Sequence, residues 1–469
     1  MLEAGAPLGQ SGDGEGRDPV DSASSHVLSR RQLLMGAGSG AAVLGAGKLF
    51  GGGLDRFVVE RARHIRQSAT RTIVVGFVGP QTGALADFAT SNNFAISAVR
   101  GTSAFSKGFR TGGQHYDLQI ISVDTQSNPN RASEVAKDLV LNRGADILIA
   151  SSTPETDNPV AQFCEVEGVP CVSTVVPWES WYAGLGGNPL KPTQKFEYNV
   201  AFFFGLPQFG DTFIPMWKRI STNKVVAEMF PNDADGNAFR AGFPPQIKAA
   251  GYTPIDGGAY PDGTANYTSM ISKFKSHDCE VYVNCPLPPD FNTFWKQAAQ
   301  QGYKPKIATV AKVLLFPADV KALGPLVNNI ATDAWWSPFA PYKSSLTGQT
   351  AAGLALQYQQ KTGQQWTQAI GSTYAAFEVA FDALAKASDP RDRAEVAANL
   401  QKMKIESING VLDFTKGPAP GVALIPAAGV QWKRGRKGKF TDFPWAMFVV
   451  DNSDAPAWPI NGDLEPTNP

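Results

Sequence analysis

The sequence predicts an α/β protein made of two similar units, each a mostly parallel sheet flanked by helices. With 469 residues the chain is too long for a single compact core. Short apolar runs such as 147–150 alternate with longer helix-like runs. This rhythm stops at a Gly- and aromatic-rich loop, 178–193, and then resumes. Such alternation is typical of right-handed βαβ units, so we expect two parallel sheets.

The regular pattern begins at residue 71, and the first unit alternates strands with helices. Its strands are predicted at 72–78, 118–124, 146–150 and 169–174. In the second unit, strands are predicted at 198–202, 224–230, 280–284 and 306–310, with helices at 210–220, 238–250, 267–276 and 291–301. Three further helices (348–361, 368–387, 391–402) precede two segments, 410–414 and 430–432, predicted to form a closing β-ribbon.

Composition and motifs exclude several classes of protein. The 42 basic and 42 acidic residues cancel, so no nucleic-acid partner is expected. The four cysteines form no CxxC pair and the four histidines lie far apart, so no metal site is predicted. Nucleophile-elbow, P-loop and HExxH motifs do not occur. We therefore expect neither an enzyme nor a cofactor.

The N-terminal region is predicted to contain an export signal. Residues 1–28 are polar, and we predict a disordered tail. Paired arginines and a Gly/Ala-rich apolar run make 29–50 similar to a twin-arginine signal, followed by a linker at 51–70. Glycines and Lys48 interrupt the apolar run, so no permanent membrane span is expected. The mature protein is expected in the periplasm or extracytoplasmic space.

Small hydroxyl side chains follow the strand predicted at 146–150. They are Ser151, Ser152, Thr153 and Thr156. In open α/β sheets, ligands bind beyond the carboxyl ends of strands, near helix N-termini. We predict that these hydroxyls form half of a small-molecule site. One of them would also suit a helix cap, and the sequence leaves both roles open.

Several ordered segments together resemble one family. They are 75–83 (VGFVGPQTG), 167–170 (EGVP), 235–237 (DGN) and 410–414 (GVLDF). Their order and spacing resemble the leucine/isoleucine/valine-binding proteins, which are type I periplasmic solute receptors of ABC importers. The resemblance implies a two-lobed type I periplasmic-binding-protein fold with three hinge crossings. It would assign 71–198 plus 335–408 to lobe 1, 199–334 plus 409–450 to lobe 2, and 451–469 to a C-terminal tail.

The resemblance also implies site residues beyond the first junction. In lobe 1 they are Ser173 and Thr174, with Trp178 either stacking on a ligand or packing between the lobes. In lobe 2 they are Asp235, Leu287 and Lys312.

Lys312 is the largest departure from the family pattern, because relatives place an acidic residue there to pair with a ligand ammonium. A lysine facing the cleft would instead favour a carboxylate-bearing ligand. A register error of one or two residues would leave Lys312 in a solvated loop.

The expected function follows from this clamp. We expect a monomeric receptor that traps a small polar or carboxylate-bearing ligand, aromatic or amino-acid-like, by hinge closure. It would deliver that ligand to the permease subunits of an ABC importer. The alternative is a ligand-sensing clamp that regulates a partner protein.

Overall fold

A computed structural model describes residues 71–467. The predicted tail, export signal and linker at 1–70 lie outside the described residues. Within the described part, the strands are β1 (Thr72–Gly79), β2 (Phe109–Thr111), β3 (Gln114–Asp124), β4 (Ile147–Ser151), β5 (Cys171–Thr174), β6 (Asn199–Phe202), β7 (Val225–Met229), β8 (Thr253–Asp256), β9 (Val281–Asn284), β10 (Ile307–Val310), β11 (Ala331–Ala334), β12 (Lys404–Ser407), β13 (Gly410–Asp413), β14 (Val422–Ala423), β15 (Ala428–Arg434) and β16 (Trp445–Asp451).

Helices separate most of these strands, as the alternating pattern predicted. They are α1 (Asn92–Arg100), α2 (Ser103–Ser106), α3 (Pro129–Leu141), α4 (Pro154–Glu167), α5 (Trp178–Gly184), α6 (Leu206–Arg219), α7 (Ala234–Ala249), α8 (Thr268–Ser276), α9 (Pro288–Gln300), α10 (Pro317–Leu323), α11 (Ala351–Thr362), α12 (Ala369–Lys386) and α13 (Arg393–Gln401). Short 3₁₀ segments occupy Ala86–Ala89 and Gly324–Val327. Between residues 71 and 467, no helix is both long and apolar enough to cross a membrane.

Two seven-stranded sheets carry the fold of the described chain. The first has the order β14-β6-β5-β4-β1-β3-β2, and only β2 is antiparallel to its neighbour. The second has the order β16-β15-β11-β10-β9-β7-β8, with β15 and β16 antiparallel at one edge. The α/β prediction of two mostly parallel sheets is confirmed.

The central strands are apolar because helices cover both faces of each sheet. All residues of β4 are buried, as is common in parallel sheets. Gly76 of β1 packs so tightly that a methyl group there would overlap Leu148. The helix α4 begins with Pro154 and ends at Gly168, whose φ of 65° suits the left-handed position after a helix. These local choices fix the strand-to-helix junction after β4.

The chain crosses between the sheets three times, as the resemblance implied. The first crossing follows β6, because β6 belongs to the first sheet; it lies at 203–205 rather than at 199. The second follows β11. The third connects β14 to β15 at 424–427 rather than at 408–409. Lobe 1 and lobe 2 below denote the first and second sheets with their helices.

The predicted closing β-ribbon is wrong in its pairing. Strand β13 pairs with β12, whereas β15 pairs with β11 and β16. The alternating pattern identifies the strands but does not reveal their partners. Residues after β16 also pack on lobe 2: the Thr467 N–H donates to the Lys306 carbonyl at 2.8 Å.

Candidate ligand-binding cleft

A cavity lies where the carboxyl ends of strands from both sheets meet. Its walls come from lobe 1, from the crossings and from lobe 2. The lining residues are Phe88, Thr153, Val175, Pro177, Phe203, Phe204, Phe209, Asp235, Cys285, Lys312, Leu315, Asp333 and Trp335. This is the position at which open α/β sheets bind ligands.

One buried ammonium joins the lobes. Lys312, after β10, has a side chain only 4% exposed. Its Nζ donates to Glu155 Oε1 at 2.9 Å, Asp233 Oδ2 at 3.0 Å and Asp235 Oδ2 at 2.9 Å. Glu155 lies in the first turn of α4 in lobe 1, whereas the two aspartates lie at the start of α7 in lobe 2. We call these four residues the Lys312 cluster.

Three carboxylates surround this single ammonium, so the Lys312 cluster carries excess negative charge. Burial lowers the pKa of Lys312, but Asp235, Glu155 and Asp233 outweigh it and hold that pKa well above its ordinary value. Burial raises the pKa of Asp235 to about 7, although Lys312 opposes the shift. The Lys312 ammonium therefore stays charged, and all three of its N–H groups have acceptors.

Further contacts place the Lys312 cluster on the lobe interface. The Ser180 hydroxyl in α5 of lobe 1 donates to Asp235 Oδ1 at 3.2 Å. Asp233 also caps α7, because its Oδ1 accepts the Gly236 N–H at 2.6 Å. The contacts of Glu155 with Lys312 and of Asp235 with Ser180 cross between the lobes, whereas Asp233 stays within lobe 2.

Aromatic side chains form much of the remaining wall. Phe203 and Trp335 meet edge to face, with ring centroids 5.1 Å apart, where the first and second crossings meet. Phe204 packs in the same way on Phe209 at 4.7 Å. Such a wall suits an apolar or ring-shaped ligand body.

Two facing cleft residues have strained backbones. Val175 follows β5 with φ 67°, and Lys312 follows β10 with φ 67°. A positive φ is costly for a β-branched residue such as Val175. Both residues line the cavity. The strain therefore coincides with the ends of the strands that form the cleft.

The predicted hydroxyls after β4 separate into two groups. Ser152 and Thr156 bond each other at 2.6 Å, and Ser151 Oγ lies 3.4 Å from Thr373 Oγ1. Thr153 lines the cavity, makes no side-chain capping bond, and its buried hydroxyl has no partner within residues 71–467. Thr153 alone among the four is placed to meet a ligand directly.

The predicted residues around β5 lie mainly behind the cavity. Thr174 donates to the Phe202 carbonyl at 3.0 Å, and Ser173 lies beside the buried Asp157. Trp178 is 6% exposed and packs on Tyr182, with centroids 6.3 Å apart. These positions favour the packing interpretation of Trp178 over ligand stacking.

In lobe 2, Asp235 and Lys312 line the cavity, whereas Leu287 does not. Leu287 packs against the core at the start of α9, and Cys285, two residues earlier, takes the cavity position. In the structure Lys312 lines the cavity and is buried, so it does not lie in a solvated loop.

Sequence reasoning missed Asp333 and Trp335. Asp333 is 1% exposed, lines the cavity, and accepts from its neighbour Thr332 only at 3.5 Å. Burial raises its pKa to about 7. The buried Trp335 indole N–H has no partner in the described chain. The available signal was an aspartate in a short strand-like segment, 331–334, followed by a Trp-Trp pair, since buried strands seldom carry unpaired acids.

The geometry agrees with comparisons to known proteins. A model of the periplasmic binding protein family matches residues 72–438. The chain belongs to this family. Its fold is that of two-lobed, type I solute-binding proteins of ABC transporters, which act outside the cytoplasmic membrane.

Three solved structures illustrate the shared periplasmic-binding-protein fold. A leucine-binding protein from Thermotoga maritima is 17% identical, with a TM-score of 0.65, covering 77% of this chain and 95% of its own. A solute-binding protein from Rhodopseudomonas palustris, in complex with 3,4-dihydroxybenzoic acid, is 19% identical, with a TM-score of 0.61 and coverage of 82% and 99%. LivJ from Streptococcus pneumoniae, in complex with isoleucine, is 15% identical, with a TM-score of 0.60 and coverage of 84% and 100%.

Proposed function

We propose that this periplasmic binding protein captures a small ligand between its lobes and delivers it, as a monomer, to the permease subunits of an ABC importer. One observation carries the proposal: residues from both lobes and from the crossings enclose a single cavity at the strand ends. A ligand held there contacts both lobes, so it stabilises the closed form over the open form. The paired arginines near the N-terminus support export by a twin-arginine signal.

The ligand we propose has an apolar or aromatic body that carries polar groups. Phe203, Phe204 and Phe209 offer the apolar wall, while Thr153 and Trp335 offer polar atoms without partners among the described residues. The solved structures of two proteins with this fold contain isoleucine and 3,4-dihydroxybenzoic acid, a small apolar amino acid and a small aromatic acid, which supports a ligand of this kind.

A carboxylate-bearing ligand is the second candidate, because the Lys312 ammonium lines the cavity. Such a carboxylate would have to displace Glu155, Asp233 or Asp235 from Lys312. The same three acids repel an added anion. The structure therefore gives less support to a carboxylate at Lys312 than to a polar end bound elsewhere in the cavity.

A thermal-shift screen followed by calorimetry tests the receptor function. Aromatic acids, branched-chain amino acids and small amines should include compounds that raise the melting temperature, because a ligand bound only by the folded state stabilises it. Calorimetry should then find one site per chain. The absence of stabilisation by every class would contradict the proposal.

A further inference from the structure

We infer that Asp333 selects ligands that present a hydrogen-bond donor, an ammonium or a hydroxyl, to the hinge side of the cavity. This inference rests on the proposed receptor function and names the ligand class that the same site takes.

The position of Asp333 follows from strand alternation. Asp333 lies in β11 and pairs with Gly429 of β15, while its neighbour Thr332 turns away and donates to the Val310 carbonyl at 2.6 Å. Side chains two residues apart share a face of a strand. Asp333 and Trp335 accordingly both line the cavity.

The carboxyl group of Asp333 has no ionic partner in residues 71–467, where none of the ion pairs includes it. Among the described residues that line the cavity, Lys312 is the only cation, and three other carboxylates already hold it. In residues 71–467 the one side-chain donor to the Asp333 carboxyl is the Thr332 hydroxyl, at a long 3.5 Å. A carboxyl so deeply buried normally has a partner, so the missing partner is expected to come from the ligand.

The surroundings favour a donor over an acceptor at this position. Asp235 and Asp333 both line the cavity, and Glu155 and Asp233 lie just behind it on Lys312. Four carboxyl groups therefore face one ammonium. An incoming ammonium offsets this negative charge and a hydroxyl can donate a hydrogen bond to a carboxyl oxygen, whereas a carboxylate adds negative charge.

The cavity also offers donors to a ligand. The Trp335 N–H and the Thr153 hydroxyl are buried without partners among the described residues, so an acceptor on the ligand would satisfy them. Phe203 and Phe204 line the same cavity. A ring carrying a donor at one edge and an acceptor at another meets all of these requirements.

Calorimetry with three matched aromatic probes tests the inference: benzylamine carries an ammonium, 3,4-dihydroxybenzoate carries hydroxyls, and benzoate carries neither. The wild-type protein should bind at least one of the two donors more tightly than benzoate. Asp333→Asn should weaken benzylamine binding about thirtyfold or more, the effect of removing one partner of a buried charge pair. Asp333→Leu should also abolish the advantage of 3,4-dihydroxybenzoate over benzoate.

Glu228→Gln is the matched control. Glu228 is a buried acid of lobe 2 whose pKa burial raises to about 7, but it does not line the cavity. Its substitution should leave all three affinities unchanged. Equal or tighter binding of benzoate by the wild type, or donor affinities that survive both Asp333 substitutions, would overturn the inference. Either result would leave the receptor function standing, because that function fails only if no class of small ligand binds.

Discussion

The lobe 1 and lobe 2 sides of the cleft both begin where parallel strands end, yet they use their polar side chains differently. After β4 and β5 of lobe 1, Ser152, Thr156 and Thr174 bond within their own lobe. After β7 and β10 of lobe 2, Asp235 and Lys312 reach across to lobe 1. Lobe 2 therefore supplies most of the charge across the cleft, while lobe 1 contributes the Thr153 hydroxyl, which has no partner among the described residues.

Two strand-to-helix junctions can therefore share the same backbone arrangement and still bind different chemical groups. In lobe 1 the position of an anion at the helix start is taken by the Glu155 carboxylate of the chain itself. The hinge adds the Asp333 carboxyl, which has one long hydrogen bond, and the Trp335 indole N–H, which has no partner among the described residues. Recognition is then expected to depend more on lobe 2 and the hinge than on the lobe 1 hydroxyls.

The largest expected effect comes from removing the central charge of lobe 2. Lys312→Met should lower the free energy of unfolding by about 3–5 kcal/mol, because it leaves buried carboxylates without their cation. Denaturant unfolding measures the change. Lys386→Met is the control, since the Lys386 side chain is 58% exposed and its ion pair should contribute little. Equal stability of the two variants would contradict the role assigned to Lys312.

The pH dependence of stability tests the buried acids. Burial raises the pKa values of Asp235, Asp333, Glu179 and Glu378 to about 7. Between their unfolded values near 4 and this value, the folded state binds more protons, so stability falls as pH rises. Each group should lower the free energy of unfolding by on the order of 1 kcal/mol per pH unit in that window.

Thermal melts of the ligand-free protein from pH 5 to pH 8 should show this decline, and Asp333→Asn should flatten it. Carboxyls with lowered pKa values, such as Asp124 and Glu155, change protonation below this window and do not mask the trend. A melting temperature that rises from pH 5 to pH 7 would show that these four buried acids are ionised at no cost.

A smaller effect, on the balance between open and closed forms, is expected when the contact between Glu155 of lobe 1 and Lys312 of lobe 2 is weakened. Glu155→Gln removes the charged contact to Lys312 and should favour the open form by about 1–2 kcal/mol. Small-angle X-ray scattering of the ligand-free protein should report a larger radius of gyration. Glu134→Gln, a surface change in α3, should not alter it. An unchanged radius in Glu155→Gln would mean that the Lys312 cluster does not contribute to closure.

The smallest effect on ligand affinity is expected from two hydroxyl side chains of lobe 1, Thr153 and Ser152. Thr153→Val should weaken ligand binding by about 1 kcal/mol, roughly fivefold in affinity, because its hydroxyl faces the cavity. Ser152→Ala should change stability but not affinity, since Ser152 bonds Thr156. Calorimetry measures the affinity of both variants and denaturant unfolding measures their stability. Weaker binding by Ser152→Ala together with unchanged binding by Thr153→Val would contradict the roles given to the two hydroxyls.

Much of the fold followed from the sequence because the alternation of strands and helices is a local signal. Strand partners are set by long-range packing, which explains the misplaced boundary at 199 and the wrong partner for β13. The position of β6 in the first sheet depends on its contact with β5, which no local pattern records.

The site was predictable in part, for the same physical reason. Lys312 and Asp235 follow strand ends, and both line the cavity in the structure; their contact with a ligand stays a prediction. Lys312 is held by Glu155 of lobe 1 and by Asp233 and Asp235 of lobe 2. These contacts join residues far apart in the chain, so the sequence did not reveal them. Asp333 lies inside a strand at a crossing, where no motif marks it.

A crystal structure with the tightest-binding compound from the thermal-shift screen tests the central claim most directly. We predict that the ligand lies between the lobes, against Thr153, Trp335 and Asp333, while Lys312 keeps its carboxylate partners. A ligand bound through a carboxylate to Lys312, with those partners displaced, would contradict the account of lobe 2. A ligand bound outside the cleft would contradict the site itself.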